Sequence, residues 1–95
     1  MTLAEIAELV RPGLARRPLD NSLKFDCGPD GMLTLRGDTA VLADSETDCT
    51  IRISTANLER LIKGKLNPVT AFATGKLKVS GDMTVAMKLG QLLSR

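Results

Sequence analysis

The sequence predicts an α+β fold: a five-stranded, mostly antiparallel sheet covered by helices, in the order α-β-β-β-β-α-α-β-α. Three observations predict it. Alternating polar and apolar runs recur between Ser22 and Ser54, separated by Gly- and Asp-rich turns. After Ser54 the apolar spacing changes to that of a helix. A last alternating run, Lys76–Ser80, leads through Gly81-Asp82 into a helix that is apolar over most of its circumference.

Thr2-Leu-Ala-Glu5 is a capping-box pattern, and Leu3, Ile6, Leu9 and Val10 follow at helical spacing. Pro12-Gly13 predicts a stop near Arg11, with Leu14 to Pro18 adding one further turn. In Ser22–Cys27, Leu23, Phe25 and Cys27 share a face opposite Lys24 and Asp26, and Gly28-Pro-Asp-Gly31 is a turn. Met32–Arg36 places Leu33 and Leu35 together. Gly37-Asp38 turns the chain into Thr39–Ala43, whose alternation is poor, and Ser45–Asp48 turns it again. Cys49–Ser54 alternates cleanly, with Cys49, Ile51 and Ile53 on one side. Ser54 or Thr55 caps a helix carrying Leu58, Leu61 and Ile62, stopped by Gly64. Asn67-Pro68 reads as a cap and first helical residue of a short helix with Val69, Phe72 and Ala73, closed by Gly75. In the fifth strand Leu77 and Val79 face inward and Lys76 and Lys78 outward; Asp82 caps the last helix.

Composition narrows the function. Ninety-five residues fit a single domain, 1–95, able to hide about 60–65% of its unfolded surface. Thirteen basic against eleven acidic residues leave a net charge of +2, too balanced to argue a nucleic-acid partner. With no Trp or Tyr and only Phe25 and Phe72, platforms for stacking bases are missing too. Glu5 stands where a secretory signal carries basic residues, and no run approaches the ~20 apolar residues of a membrane span. Leu93-Ser94-Arg95 is not a peroxisomal address. The expected compartment is the cytoplasm, with both cysteines as free thiols.

The closing helix poses the functional question. At ~100° per residue, Val85, Ala86, Leu89, Leu92 and Leu93 cover one arc, and Met83, Met87 and Gly90 the adjoining one. Thr84, Lys88, Gln91 and Arg95 form the polar strip. The apolar sector spans roughly 220°, about twice the ~100° a core-facing helix needs. The Leu/Val arc is explained by docking on the sheet. The Met arc is covered by more protein, either the Phe72 helix or a partner chain, or by an apolar ligand, and methionine suits the latter because its thioether moulds to varied shapes. Periodicity leaves both open.

The stretch from Cys49-Thr-Ile-Arg-Ile-Ser through the Leu58–Ile62 helix, Gly-Lys-Leu-Asn-Pro, Ala71-Phe72, Gly75-Lys-Leu-Lys-Val-Ser-Gly-Asp-Met and Ala86-Met-Lys-Leu89 resembles the sterol carrier protein type-2 lipid-binding domain. The match covers Asp48 to Leu93; the first half matches in element order. The resemblance implies an apolar tunnel between sheet and helices that holds a fatty acid, acyl-CoA, sterol, phospholipid or isoprenoid quinone precursor, gated by the last helix. The implied lining is Leu58, Ile62, Phe72, Leu77, Val79, Met83, Met87, Leu89 and Leu92. A tunnel of ~300 Å³, left empty at about 24 cal/mol per Å³, would cost on the order of 7 kcal/mol, so retained lipid or partial collapse is expected. The family also contains accessory factors, so the second reading is a non-catalytic interaction module that dimerises or meets a partner through the Met83/Met87/Gly90 face.

Catalytic constellations are thin. The chain has no His, and neither Cys27 nor Cys49 belongs to a Cys-x-x-Cys pair, which argues against metal, cofactor and redox chemistry. Gly75–Gly81 lacks the order of a phosphate loop. Asp38, Asp44, Glu46 and Asp48 fall at turns, where Asp supports the local backbone. A thioesterase-like use of Cys49 is the weakest reading, and the expectation is no enzyme. Three basic pairs, Arg16/Arg17, Lys63/Lys65 and Lys76/Lys78, are either solvated faces or weak steering toward anionic headgroups or an acyl-CoA phosphate, with transient membrane contact.

Overall fold

In the first helix, α1 (Leu3–Arg16), the Thr2 hydroxyl accepts from the Glu5 N–H while the Glu5 carboxylate accepts from the Thr2 N–H. The predicted stop near Arg11 is absent: the helix runs through Pro12. Proline removes one N–H, the partner of the Glu8 carbonyl. Glu8 is exposed, so that carbonyl is left to water, while the next turn buries Leu14 in the core. The Arg11 guanidinium donates to the Ala40 carbonyl at 2.8 Å, tying α1 to the third strand.

The strands are β1 (Ser22–Asp26), β2 (Met32–Arg36), β3 (Thr39–Val41), β4 (Cys49–Ile53) and β5 (Leu77–Gly81), joined in the order β3-β2-β1-β4-β5. Three pairings are antiparallel; β1 and β4 are parallel, so the sheet is mixed. A 3₁₀ turn at Gly28–Asp30 occupies the first predicted turn. The remaining helices are α2 (Thr55–Ile62), α3 (Pro68–Ala73) and α4 (Met83–Leu93). The Ser54 hydroxyl caps α2 and the Asn67 carboxamide caps α3. The structure, a computed structural model, describes the backbone of residues 1–93 and the side chains of residues 1–88.

Strand alternation decides the layers. Leu23, Phe25, Leu33, Leu35, Cys49, Ile51, Ile53 and Leu77 are buried against the helices, together with Ile6, Leu14, Leu58, Leu61 and Val85. Because β3 is an edge strand and β4 lies beyond β1, the connection between them must cross two strands on the opposite face. Residues 42–48 make that crossing as a polar strap. The Thr34 hydroxyl donates to the Ala43 carbonyl at 2.6 Å, which ends β3 earlier than its predicted boundary at Ala43. Lys24 Nζ reaches the Asp44 carboxylate at 2.7 Å and the Ser45 carbonyl at 3.0 Å, and Arg36 donates to the Glu46 carbonyl at 2.6 Å. At the end of the strap, Asp48 Oδ2 accepts from the Ser22 N–H at 3.0 Å, and the Ser22 hydroxyl accepts from the Asp48 N–H at 2.9 Å.

The Asp48 carbonyl also receives the Asp82 N–H at 2.8 Å. This closeness requires glycine beside it: a Cβ on Gly81, whose φ is +88°, would lie 2.4 Å from the Asp48 oxygen. Gly75 also has positive φ, +77°, but open space around it. Gly81→Ala is therefore expected to cost about 2–3 kcal/mol, adding a clash to the backbone strain, against about 1 kcal/mol for Gly75→Ala, read as shifts in urea unfolding. The strap predicts an acid limb. The hydrogen bond from Lys24 holds the Asp44 carboxyl below its ordinary value, and the Ser22 N–H does the same for Asp48. A depressed folded value stabilises the fold above the unfolded carboxylate value, about 4, and the gain disappears as pH falls through the folded values. Urea midpoints should drop below about pH 4, less steeply in Asp48→Asn.

Candidate functional site

Helices α2, α3 and α4 are short, and they do not close over the β4–β5 side of the sheet. What remains is an apolar cleft of about 150 Å³. Its floor is Ile51 of β4 with Leu77 and Val79 of β5. Its walls are Leu61 of α2, Pro68, Val69 and Phe72 of α3, and Met83, Ala86 and Met87 of α4. Among the described residues, no lining side chain is titratable or carries a hydrogen-bond donor. The cleft is half the ~300 Å³ lower end of ligand sites, lies between sheet and helices and opens to the surface. Its rim is greasy: Val69 is 77% exposed, Met87 67%, Phe72 49% and Met83 45%.

Local sequence fixes each wall. The Asn67 carboxamide accepts from the Val69 and Thr70 N–H groups, starting α3 at Pro68. Ala71 is the buried anchor of α3, which turns Val69 and Phe72 to the rim. The Asp82 carboxylate accepts from the Thr84 N–H at 2.9 Å and the Thr84 hydroxyl at 2.5 Å, and those bonds hold its pKa below the ordinary value. The cap starts α4 at Met83, so Val85 enters the core, Ala86 follows at the cleft wall, and Met83 and Met87 line the mouth.

Of the residues implied as lining, Phe72, Leu77, Val79, Met83 and Met87 meet in this cleft. Leu58 is fully buried in the core, one turn before Leu61, and Ile62 is partly buried against that core. The side chains of Leu89 and Leu92 lie outside the described residues, and Gly90 is described only as backbone within α4. The implied set lacks Ile51, Leu61, Pro68, Val69 and Ala86. Ile51 is the register partner of Val79, a neighbour that only strand pairing reveals. Leu61 shares an α2 stripe with Leu58, and the spacing alone does not say which of the two looks into the gap.

Chemistry beyond burial has little to work with. Burial pushes both the Cys27 and Cys49 thiols above their ordinary values, so both stay protonated near neutral pH and are poor nucleophiles. Among the described residues no group of three or more His, Cys, Asp or Glu side chains could hold a metal ion, and no helix is long and apolar enough to cross a membrane.

Lining residues divide energetically by exposure. Leu61→Ala should cost about 2–4 kcal/mol in urea unfolding, because it deletes buried packing. Met87→Ala should change stability by under about 0.5 kcal/mol although it enlarges the same cleft.

Comparison with known proteins places these features among relatives. The sequence profile of the SCP-2 sterol transfer family matches residues 12–94. Sterol carrier protein 2 of Gallus gallus is 51% identical over 57 residues, which is 60% of this chain and 10% of that protein. The chain thus aligns with about a tenth of the length of such curated relatives. Among solved structures, sterol carrier protein 2 of Aedes aegypti in complex with a C16 fatty acid, palmitate, has a TM-score of 0.81 at 19% identity, covering 99% of this chain and 97% of that one. The ubiquinone synthesis protein UbiJ-SCP2 has a TM-score of 0.73 at 21% identity, covering 95% and 90%. At these identities the structural likeness speaks for the fold.

Proposed function

The chain belongs to the SCP-2 sterol transfer family, and on that premise we propose that residues 1–95 form one unit that binds a single apolar lipid chain in the α2–α3–α4 cleft and carries or presents it in the cytoplasm without transforming it. The observation that carries this reading is a cleft whose ten lining side chains among the described residues are all apolar and whose mouth is ringed by exposed Val69, Phe72, Met83 and Met87. Such a site binds by removing hydrocarbon from water, worth about 0.8 kcal/mol per buried methylene. It offers no group to fix or activate a polar head, so the head stays at the mouth. The palmitate held by the Aedes aegypti relative is a ligand of the matching chemistry.

Access runs between α3 and α4. A cleft of about 150 Å³ is too small for a long chain, so these helices part to admit one. Gly64 closes α2 and Gly75 closes α3, both with positive φ. Within α4, Met83 and Met87 adapt to the guest by rotamer changes. The second reading, an interaction module, draws on the same two exposed methionines; it requires a tight dimer or complex that takes up no acyl probe.

Palmitate at about a hundredfold excess over its dissociation constant should stabilise the protein by about 2.7 kcal/mol, or roughly 10–20 °C in Tm. Ala86→Phe, which fills the cleft, should remove that shift. A Tm indifferent to palmitate, with no lipid released on denaturing mass spectrometry of the purified protein, would overturn the carrier reading.

A further inference from the structure

Sulfur on this molecule is unevenly protected. Of the two thiols and four thioethers, Cys27 and Cys49 are buried, and burial pushes both thiols above their ordinary values. Neither offers the thiolate that an oxidant attacks first. Met32 is half-buried in β2, and Met1 is exposed but outside the cleft. Met83 and Met87 stand at the cleft mouth, one turn apart on α4, 45% and 67% exposed. The accessible sulfurs of the fold are thus the ones that line the lipid site. A sulfoxide there would be a polar acceptor with no proton to donate, and the other walls of the cleft hold no donor among the described residues. On α4 itself the Thr84 hydroxyl donates to Asp82, and Lys88 Nζ to Asn21 at 3.3 Å. Only water is left to pair such an oxygen, so an oxidised side chain stays in solvent or brings water against the guest.

We propose that Met83 and Met87 are a modification site: a peroxide converts them to sulfoxides, and the cleft then releases its lipid. The inference rests on the carrier reading and assigns a regulation to the same site. In each step the thioether lone pair attacks one peroxide oxygen. The S–O bond forms as the O–O bond breaks, and the other oxygen leaves as water or an alcohol. Sulfur loses the two electrons that the peroxide gains. A thiol-dependent sulfoxide reductase restores the thioether, the oxygen leaving as water while two thiols become a disulfide. A bound chain covers both sulfurs, so the empty protein is the form that oxidises.

The test treats the protein with dilute hydrogen peroxide, with and without palmitate, and follows oxygen addition by peptide mass spectrometry. Met83 and Met87 should each gain one oxygen. Palmitate should slow both, yet leave the rate at Met1, which is as exposed as Met83 at 45%, unchanged. Palmitate affinity of the oxidised protein should fall roughly tenfold, the effect of one unpaired polar group against the guest. Its urea midpoint should hardly move, because both side chains stand largely in solvent, and both free thiols should remain. In Met83→Leu/Met87→Leu, measured against its own untreated affinity, peroxide should change nothing; in Met32→Leu the loss should persist. Affinity that survives both sulfoxides, a loss that persists in the double leucine variant, thiols consumed first, or a collapsed urea midpoint would each overturn the proposal. Untreated protein that takes up no palmitate overturns the carrier reading and this inference with it, whereas uptake that peroxide leaves intact overturns this inference alone.

Discussion

One close approach organises this molecule: the Asp48 carbonyl against the backbone of Gly81 and Asp82. The Asp48 carboxylate and N–H are engaged by Ser22, and its carbonyl receives the Asp82 N–H. A single residue therefore joins the start of β1, the start of β4, the end of β5 and the origin of α4. Glycine at 81 is the condition for that junction, because a side chain there would occupy the space of the Asp48 oxygen. Moving the junction would re-aim α4, and with it the wall formed by Met83, Ala86 and Met87.

The cleft follows from what remains to be covered. A five-stranded sheet presents an apolar face on which α1 packs over β3 and against α2, while α4 reaches β1. Over β4 and β5 the cover is α3, six residues long, and the first turns of α4. Among the described residues, those helices reach the sheet through small or single anchors, Ala71 and Val85, both buried. Larger anchors would have filled the gap. Small ones leave Ile51, Leu77 and Val79 as a floor facing space, and the methionines and Phe72 stand over it half in solvent.

The two faces of the sheet use different physics. The helix side is held by non-directional burial, tolerant of what fills it, and so can exchange side chains for a guest. The opposite side is held by directed polar bonds, Lys24 to Asp44 and Ser45, Arg36 to Glu46, Thr34 to Ala43. Those bonds fix the 42–48 strap across β1 and β2.

The sequence by itself determined the element order, because periodicity and capping are local: Thr2, Ser54, Asn67 and Asp82 start helices where their side chains meet nearby N–H groups. It also carried the family motif and the surplus apolar arc of α4, since a helix of known pitch places its own side chains. Its reading of Pro12 as a stop erred because the burial of Leu14, a tertiary gain, outweighs one missing hydrogen bond whose carbonyl faces water. Only the tertiary structure decided the parallel β1–β4 pairing, the strap across the sheet, and which apolar residues look into the cleft. Leu58 and Leu61 lie on one stripe, yet one is core and the other wall. That distinction depends on how far neighbouring helices reach, a property of packing distances between segments remote in sequence, which no local spacing encodes.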